Sequence, residues 1–263
     1  MGKPLRMAKP LRIAMWSGPR NISTAMLRAF GNRADCAVSD EPFYAAYLVA
    51  TGLDHPMREA VIASQPNEWR DVVAGLTGPV PEAKAVWYQK HMTHHMVEGF
   101  GREWIDGFAN AFLIRAPEAV IASYAQKRGE FTLQEIGLPA QVDLFERAAD
   151  RLGAAPPVIE GNDVLANPRA ALEALCNALT APFDEGMLSW PAGRKPGDGV
   201  WAPAWYDAVE RSTGFGPPQP EIRFEDLPEK LKPIAAAARP LYERLAQFRL
   251  GARAPWSRAT TGA

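Results

Sequence analysis

Cysteine is scarce in this sequence of 263 residues, and neither sign of charge is in excess. Cys36 and Cys176 are the only cysteines, too few for a disulfide framework or a cysteine-only metal site. The 29 Lys and Arg residues balance the 30 Asp and Glu residues, so no overall basic field favours nucleic acid or an acidic membrane. No apolar run reaches the roughly 18 residues that a membrane-spanning helix needs. We therefore expect a cytoplasmic protein without nucleic-acid or membrane partners.

Short apolar runs alternate with amphipathic helical patterns along the chain. Ile22, Met26 and Phe30 recur at helical spacing directly after the first run. The predicted strands are Leu11–Trp16, Cys36–Ser39, Ala85–Gln89, Ala111–Ile114 and Pro156–Glu160. This alternation favours a parallel sheet covered on both faces, so we expect a three-layer α/β/α fold. The predicted single domain spans residues 11–250, between flexible tails at residues 1–10 and 251–263.

The segment from Ser17 to Thr24 connects the first predicted strand to the first predicted helix. Ligands of open parallel sheets bind outside the carboxyl ends of the strands, where this segment lies. Free backbone N–H groups at a helix start attract phosphate or sulfate, and Arg20 would add a forked cation. Ser23 and Thr24 offer hydroxyl donors in the first helical turn. The alternative is a capped turn with an exposed arginine.

This segment is not a Walker A loop. Gly18 has no Gly-Lys-Ser/Thr after it, because positions 23 and 24 are Ser and Thr, and the one Gly-Lys in the chain is Gly2-Lys3. The lysine that bridges the β- and γ-phosphates of a nucleoside triphosphate is therefore missing. Its absence argues against an ATPase or GTPase.

The run Gly18-Pro19-Arg20-Asn21-Ile22-Ser23-Thr24 resembles the 5′-phosphosulfate loop of sulfotransferases, whose pattern is Pro-Lys/Arg-Ser-Gly-Ser/Thr-Thr. The resemblance implies a P-loop kinase-like architecture and 3′-phosphoadenosine 5′-phosphosulfate as sulfuryl donor. All seven residues are then expected at the donor's phosphosulfate. Ile22 stands where the family usually has glycine. Since a β-branched residue does not readily adopt positive φ, we expect negative φ at Ile22 or an altered anion grip.

A second element follows the fourth predicted strand. Arg115-Ala116-Pro117, with Ser123 eight residues after the arginine, resembles the family's Arg-Asp/Asn-Pro fingerprint. The resemblance implies that Arg115 and Ser123 bind the donor's 3′-phosphate. Ala116 replaces the usual Asp or Asn and removes a side chain that stabilises the loop. The alternative is an arginine paired with a surface carboxylate and a serine that merely fills a helix.

A third element lies late in the chain, from Gly193 to Trp201. Arg194 and Lys195 resemble the basic pair of the family's Arg-Lys-Gly loop, which closes over the donor's 3′-phosphate. Pro196 stands where glycine is usual, so one backbone donor is lost. Trp201 is the tryptophan that we expect to stack on a ligand. A solvated Gly/Pro-rich surface loop is the alternative.

Two residues at strand ends are candidates for the base that takes a proton from the acceptor. Glu41 resembles the Glu-Pro of carbohydrate-type members, and His91 resembles the Lys-Thr-His-Leu of the cytosolic small-molecule branch. The pKa of an ordinary histidine lies nearest neutrality, so we favour His91 as base, with Glu41 orienting or substituting. Lys90 and Arg20 are expected to stabilise the bridging oxygen. The alternative for Glu41 and His91 is a helix-capping or arginine-pairing role.

These observations predict a sulfotransferase that moves a sulfuryl group to a hydroxyl or amine of a small-molecule acceptor. We expect no metal, because cationic side chains and backbone donors supply the electrostatic stabilisation. His91, His94 and His95 have the spacing of one helical face, which makes a zinc site conceivable. No nearby cysteine or clear motif for a third ligand supports such a site. Another nucleotide-dependent transferase or kinase of the same architecture, and a non-catalytic nucleotide-binding relative, are the alternatives. The acceptor's identity and a homodimer are left open.

Overall fold

The computed structural model describes residues 9–251 and residue 256. Five parallel strands form one sheet with the spatial order β2-β3-β1-β4-β5. The strands are β1 Leu11–Ser17, β2 Cys36–Asp40, β3 Val86–Met92, β4 Ala109–Ile114 and β5 Val158–Glu160. All five predicted strands are confirmed, each to within three residues at either end. The predicted flexible tails lie largely outside the described residues.

Helices connect the strands and cover the sheet. They are α1 Ser23–Gly31, α2 Tyr44–Thr51, α3 Arg58–Ser64, α4 Trp69–Thr77, α5 Pro117–Ala125, α6 Leu133–Ile136, α7 Leu138–Leu152, α8 Gly161–Ala166, α9 Pro168–Ala178, α10 Ala202–Trp205, α11 Asp207–Glu210 and α12 Lys232–Ala246. Proline in the first turn helps to begin α5, α9 and α12, since its fixed φ suits a helix and its missing N–H is not needed there.

Side chains of the strands alternate between two buried faces. Ile13 and Met15 of β1 pack in the same cluster as Met26 of α1, whereas Ala14 and Trp16 pack with helices α5, α7 and α12 on the opposite face. Burial on both faces explains why the strands are nearly continuous apolar runs. The expected arrangement of a parallel sheet between two helical layers is therefore confirmed.

The connections place a crevice beside β1. The chain leaves β1 for β2, returns to β3 next to β1, and then crosses to β4 on the other side of β1. Helices therefore leave in opposite directions from the carboxyl ends of neighbouring strands, which is where open sheets bind ligands. Within the described residues, no helix has the length and apolarity needed to cross a membrane.

Candidate functional site

A cavity of about 450 Å³ lies at the carboxyl ends of the strands. Its floor is formed by residues 19–25 after β1, Glu41 after β2, Lys90 in β3 and Arg115 after β4. Ser123 and Tyr124 of α5 line one wall, and side chains between residues 205 and 219 form the cover. The cavity thus joins the loop that follows β1 to the ends of three other strands.

The loop after β1 leaves the first turn of α1 free for an anion. Ile22 is the N-cap residue, so no side chain caps the helix, and no acidic residue lies in its first turn. The uncapped N–H groups and the helix dipole therefore face the cavity without a competing acceptor in that turn. Ile22 has φ −77°, as its β-branched side chain requires. The positive φ falls instead on Arg20, at 58°.

The positive φ of Arg20 is compensated by two long-range hydrogen bonds. Arg20 Nε donates to Ser123 Oγ at 2.9 Å, and Arg115 Nη1 donates to the Arg20 carbonyl oxygen at 2.7 Å. A non-glycine residue in this region costs about 1–3 kcal/mol and persists where its surroundings fix it. The loop after β1 is therefore held to the end of β4 and to α5.

The guanidinium groups of Arg20 and Arg115 repel each other electrostatically, and Asp207 and Glu160 act on them without forming an ion pair. Neither Arg20 nor Arg115 forms an ion pair within the part of the chain that the structure describes. Burial lowers the pKa of Arg115, and the charge of Arg20 lowers it further. Both groups remain protonated at neutral pH, because arginine titrates far above it. A dianionic group is the natural partner for such a pair.

On the other side of β1, a buried lysine holds two carboxylates. Lys90 Nζ donates to Asp40 Oδ1 at 2.8 Å, to Glu41 Oε1 at 2.7 Å and to the Tyr206 hydroxyl at 2.7 Å. Glu41 has φ 43°, and its side chain is 11% exposed, compared with 2% for Asp40. Burial raises the pKa of Glu41, Lys90 opposes that rise, and Asp40 adds to it. Glu41 is thus the carboxylate that reaches the cavity.

The family model for a sulfotransferase domain matches residues 11–246. The chain belongs to the sulfotransferase domain family. The match covers all five strands and the helices from α1 to α12.

Two curated relatives of this sulfotransferase domain are longer proteins of Arabidopsis thaliana. Branched-chain-amino-acid aminotransferase-like protein 1 is 36% identical over 213 residues, which cover 81% of this chain and 38% of that protein. Branched-chain-amino-acid aminotransferase-like protein 2 is 34% identical over 207 residues, which cover 79% of this chain and 36% of that protein. The chain thus spans well under half the length of either relative, and their names describe the whole of those proteins.

Solved sulfotransferase structures share the fold. The sulfotransferase domain from the Synechococcus PCC 7002 olefin synthase superposes with a TM-score of 0.56 at 19% identity, covering 94% of this chain and 98% of that one. The sulfotransferase domain from the curacin biosynthetic pathway gives 0.52 at 17% identity, covering 87% and 97%. A sulfotransferase from Alicyclobacillus acidocaldarius gives 0.53 at 12% identity, covering 91% and 95%. At these identities the likeness concerns the fold alone.

The predicted site residues of this sulfotransferase domain fall into two groups. Those that line the cavity are Pro19, Arg20, Asn21, Ile22, Ser23, Thr24, Glu41, Lys90, Arg115 and Ser123. Those that do not line it are Gly18, His91, Arg194, Lys195 and Trp201. Gly18 instead packs against the chain: a Cβ there would lie 2.4 Å from the Ile136 carbonyl oxygen, so only glycine fits.

His91 lies in the core, which corrects the expectation that it faces the acceptor. Its ring stacks on Trp16 at 4.5 Å between centroids, with Phe43 and Trp104 nearby, and its Nε2 is 3.2 Å from Gln89 Oε1. Burial lowers its pKa to about 3, so the imidazole is neutral at physiological pH. Neighbouring residues of a strand point to opposite faces, and on β3 it is Lys90 that lines the cavity.

The segment with Arg194, Lys195 and Trp201 also lies elsewhere than expected. Asp198 accepts two hydrogen bonds from Arg28 of α1 and one from the Lys195 backbone N–H, so the segment is folded onto α1. Arg194 is exposed, and its Nη2 donates to the Gly199 carbonyl oxygen. Trp201 is buried, with its ring edge on Tyr44, so it packs in the core instead of stacking on a ligand.

Several residues that line the cavity were not among the predicted site residues. His55, His94 and His95 line the cavity beside Tyr44, whose hydroxyl is 2.9 Å from His55 Nδ1. Burial lowers the pKa of all three histidines, to about 4 for His55 and about 3 for His94, so their rings are neutral. Within the described residues, no group of three or more potential ligands is placed to hold a metal ion. This end of the cavity therefore offers aromatic and neutral imidazole surfaces.

Proposed function

We propose that this chain transfers a sulfuryl group from 3′-phosphoadenosine 5′-phosphosulfate to a hydroxyl or amine of a small molecule. The observation that carries the proposal is the cavity in which the uncapped start of α1, Arg20, Arg115 and Ser123 meet. A donor with phosphate at both ends of its ribose suits two separate cationic turns on one rim of the sheet.

The proposal divides the cavity between donor and acceptor. Residues 19–24 take the 5′-phosphosulfate, and Arg115 with Ser123 takes the 3′-phosphate, at the β1 and β4 ends. Glu41 follows β2, on the far side of β3 from β1, so the acceptor occupies the end lined by Tyr44 and the histidines. Arg194 and Lys195 have no part in holding the donor in this arrangement.

Glu41 is the proposed base. The acceptor oxygen or nitrogen forms a bond to sulfur, the bond from sulfur to the 5′-phosphate oxygen breaks, and the acceptor's proton passes to the Glu41 carboxylate. A glutamate whose pKa is raised by burial is a stronger base than an ordinary one. Positive charge from Arg20 stabilises the departing bisphosphate. Lys90 donates all three of its N–H groups within the protein, so its role is to hold Glu41.

The test is a product assay with the labelled donor and a pool of small hydroxyl and amine compounds. We expect 3′,5′-adenosine bisphosphate to form without added Mg²⁺, together with a labelled product. Mg²⁺-dependent formation of ADP from ATP would favour a kinase instead. Binding of the bisphosphate without turnover of the donor across the pool would indicate a non-catalytic relative. A cytoplasmic location stays a prediction from the sequence.

A further inference from the structure

Tyr206 lies between α10 and α11, in the cover of the cavity, and its hydroxyl joins three side chains. It accepts hydrogen bonds from Lys90 Nζ at 2.7 Å and from Trp201 Nε1 at 3.1 Å. It donates to Asp40 Oδ2 at 2.6 Å. The side chain is buried and lines the cavity. Neither donor binding nor proton transfer, as proposed above, uses this residue.

The hydrogen bonds around Tyr206 distinguish the two carboxylates that Lys90 contacts. Asp40 Oδ1 accepts from Lys90, and Asp40 Oδ2 accepts from Tyr206 and, at 3.3 Å, from the Gly199 N–H. Three donors inside the protein therefore serve the Asp40 carboxylate. Glu41 accepts from Lys90 on Oε1, the Tyr206 hydroxyl also interacts with it and lowers its pKa, and its side chain is the more exposed of the two.

We propose that Tyr206 is a positioning residue that fixes Asp40 as the counter-charge of Lys90 and thereby leaves Glu41 to take the acceptor's proton. The inference rests on the proposed function. Tyr206 touches neither the bond that forms nor the bond that breaks; it acts through Asp40 and Lys90. Because it belongs to the cover, the base is correctly arranged only when this segment is in place over the cavity.

The groups that face Glu41 set the expected direction of change. They are Lys90 and Asp40 on the strands, Tyr206 in the cover, Tyr44 on α2 and Tyr124 on α5. Without the Tyr206 hydroxyl, Asp40 loses a donor and draws the Lys90 ammonium group toward itself, and Glu41 loses an interaction that lowers its pKa. The ionised form of Glu41 is then less well stabilised, so the pKa of Glu41 rises.

The test is Tyr206→Phe, which keeps the ring and removes the hydroxyl. The titration of Glu41 is followed by ¹³C NMR of the side-chain carboxyl groups, with the Glu41 signal assigned as the one lost in Glu41→Gln. We expect its midpoint to rise by about 0.5 pH unit in Tyr206→Phe, which corresponds to a differential interaction of roughly 0.7 kcal/mol. Tyr242→Phe, which removes a tyrosine hydroxyl on α12, should leave it unchanged. An unchanged or lowered midpoint in Tyr206→Phe overturns the inference.

Asp40→Asn tests the same hydrogen-bond network by removing the second carboxylate that Lys90 contacts. Lys90 then has Glu41 as its one carboxylate partner, so the Glu41 midpoint should fall in this variant, and an unchanged midpoint would contradict the role given to Asp40. Adding Tyr206→Phe to Asp40→Asn should change the midpoint little further, because the two residues act through one network; additive effects would show that they act independently. In the transfer assay, Tyr206→Phe should lower kcat roughly 10-fold, with bisphosphate affinity within about twofold of the parent. If the parent chain binds no bisphosphate while the NMR shifts stand, only the proposed function fails.

Discussion

Arg20 and Ser123 stand 103 positions apart in the chain, and a 2.9 Å hydrogen bond joins Arg20 Nε to Ser123 Oγ at the wall of the cavity. Arg115 completes this contact by donating to the Arg20 carbonyl oxygen. The loop after β1 and the end of β4 therefore present two cations to one cavity. The expected effects of substitutions follow from the separate roles of these two cations and of the carboxylates Asp40 and Glu41 on the other side of β1.

Replacement of Arg115 should distinguish binding of the donor's 3′ end from binding of its 5′ end. Arg115→Ala removes a charged donor to the 3′-phosphate, and such bonds contribute about 1.5–3 kcal/mol, so the affinity for 3′,5′-adenosine bisphosphate should fall roughly 10- to 100-fold. AMP, which lacks the 3′-phosphate, should lose clearly less affinity, namely the part that depends on the Arg115 bond to the Arg20 carbonyl oxygen. Calorimetry with both nucleotides measures the difference, and equal losses for the two would place Arg115 at another part of the ligand.

Arg194→Ala is the matched control among the arginines. The side chain is exposed and does not line the cavity, so bisphosphate affinity should stay within about twofold of the parent. A loss as large as that of Arg115→Ala would mean that residues 193–201 leave α1 and close over the donor, as the resemblance to the family's basic loop implies.

Arg20→Ala should weaken the bisphosphate and AMP alike, because Arg20 is assigned to the 5′ end that the two nucleotides share. The substitution also removes the bond to Ser123, which fixes the loop in its positive-φ conformation. We expect a loss of roughly 10-fold or more for each nucleotide by calorimetry. A variant that loses the bisphosphate but retains AMP would show that Arg20 serves the 3′ end instead.

Glu41→Gln and His91→Phe compare the two candidate bases. Glu41→Gln keeps the shape of the side chain and removes the carboxylate, so turnover should fall by roughly 10²–10⁴ while bisphosphate affinity changes little. His91→Phe keeps a ring against Trp16, and its turnover per folded molecule should stay within a few-fold of the parent. The reverse pattern of rates would return the role of base to His91.

Buried neutral histidines should make the fold sensitive to acid. Burial holds the folded-state pKa values of His55, His91, His94 and His95 below the ordinary histidine value of 6.5, so the stability that they contribute is present above pH 6.5 and is lost as the pH falls towards about 3–4. Each histidine costs about 1.4 kcal/mol of unfolding free energy per pH unit in that window. Urea unfolding at pH 7.5 and 5 should show the loss, and His91→Phe should show a smaller one. Equal losses in parent and variant would mean that His91 is protonated in the folded state.

The fold and the donor loop could be predicted because their signals are local. Apolar runs and helical spacing revealed the sheet, and the strand-end rule placed Arg20 and Arg115 on one rim. The side of the sheet on which His91 lies could not be read in this way. Lys90 and His91 are neighbours on β3 that point to opposite faces, and the choice depends on the packing of His91 against Trp16.

The role of Tyr206 had no sequence signal at all. Its contact with Lys90 spans 116 positions and depends on how the segment between β5 and α12 folds over the cavity. That segment carries short helices within long stretches of loop, where neither periodicity nor turn residues specify which side chain points inward. The expectation that Trp201 stacks on a ligand failed for the same reason, because a tryptophan beside a basic loop can equally fill the core.

The most direct measurement of the central claim is calorimetric titration of the parent chain with 3′,5′-adenosine bisphosphate, AMP and ATP at equal ionic strength. If one cavity holds a phosphate at each end of the nucleoside, the bisphosphate should bind at least roughly 10-fold more tightly than AMP, and ATP should gain nothing from its extra phosphates. Equal affinities for the bisphosphate and AMP, or no binding of the bisphosphate, would contradict the account.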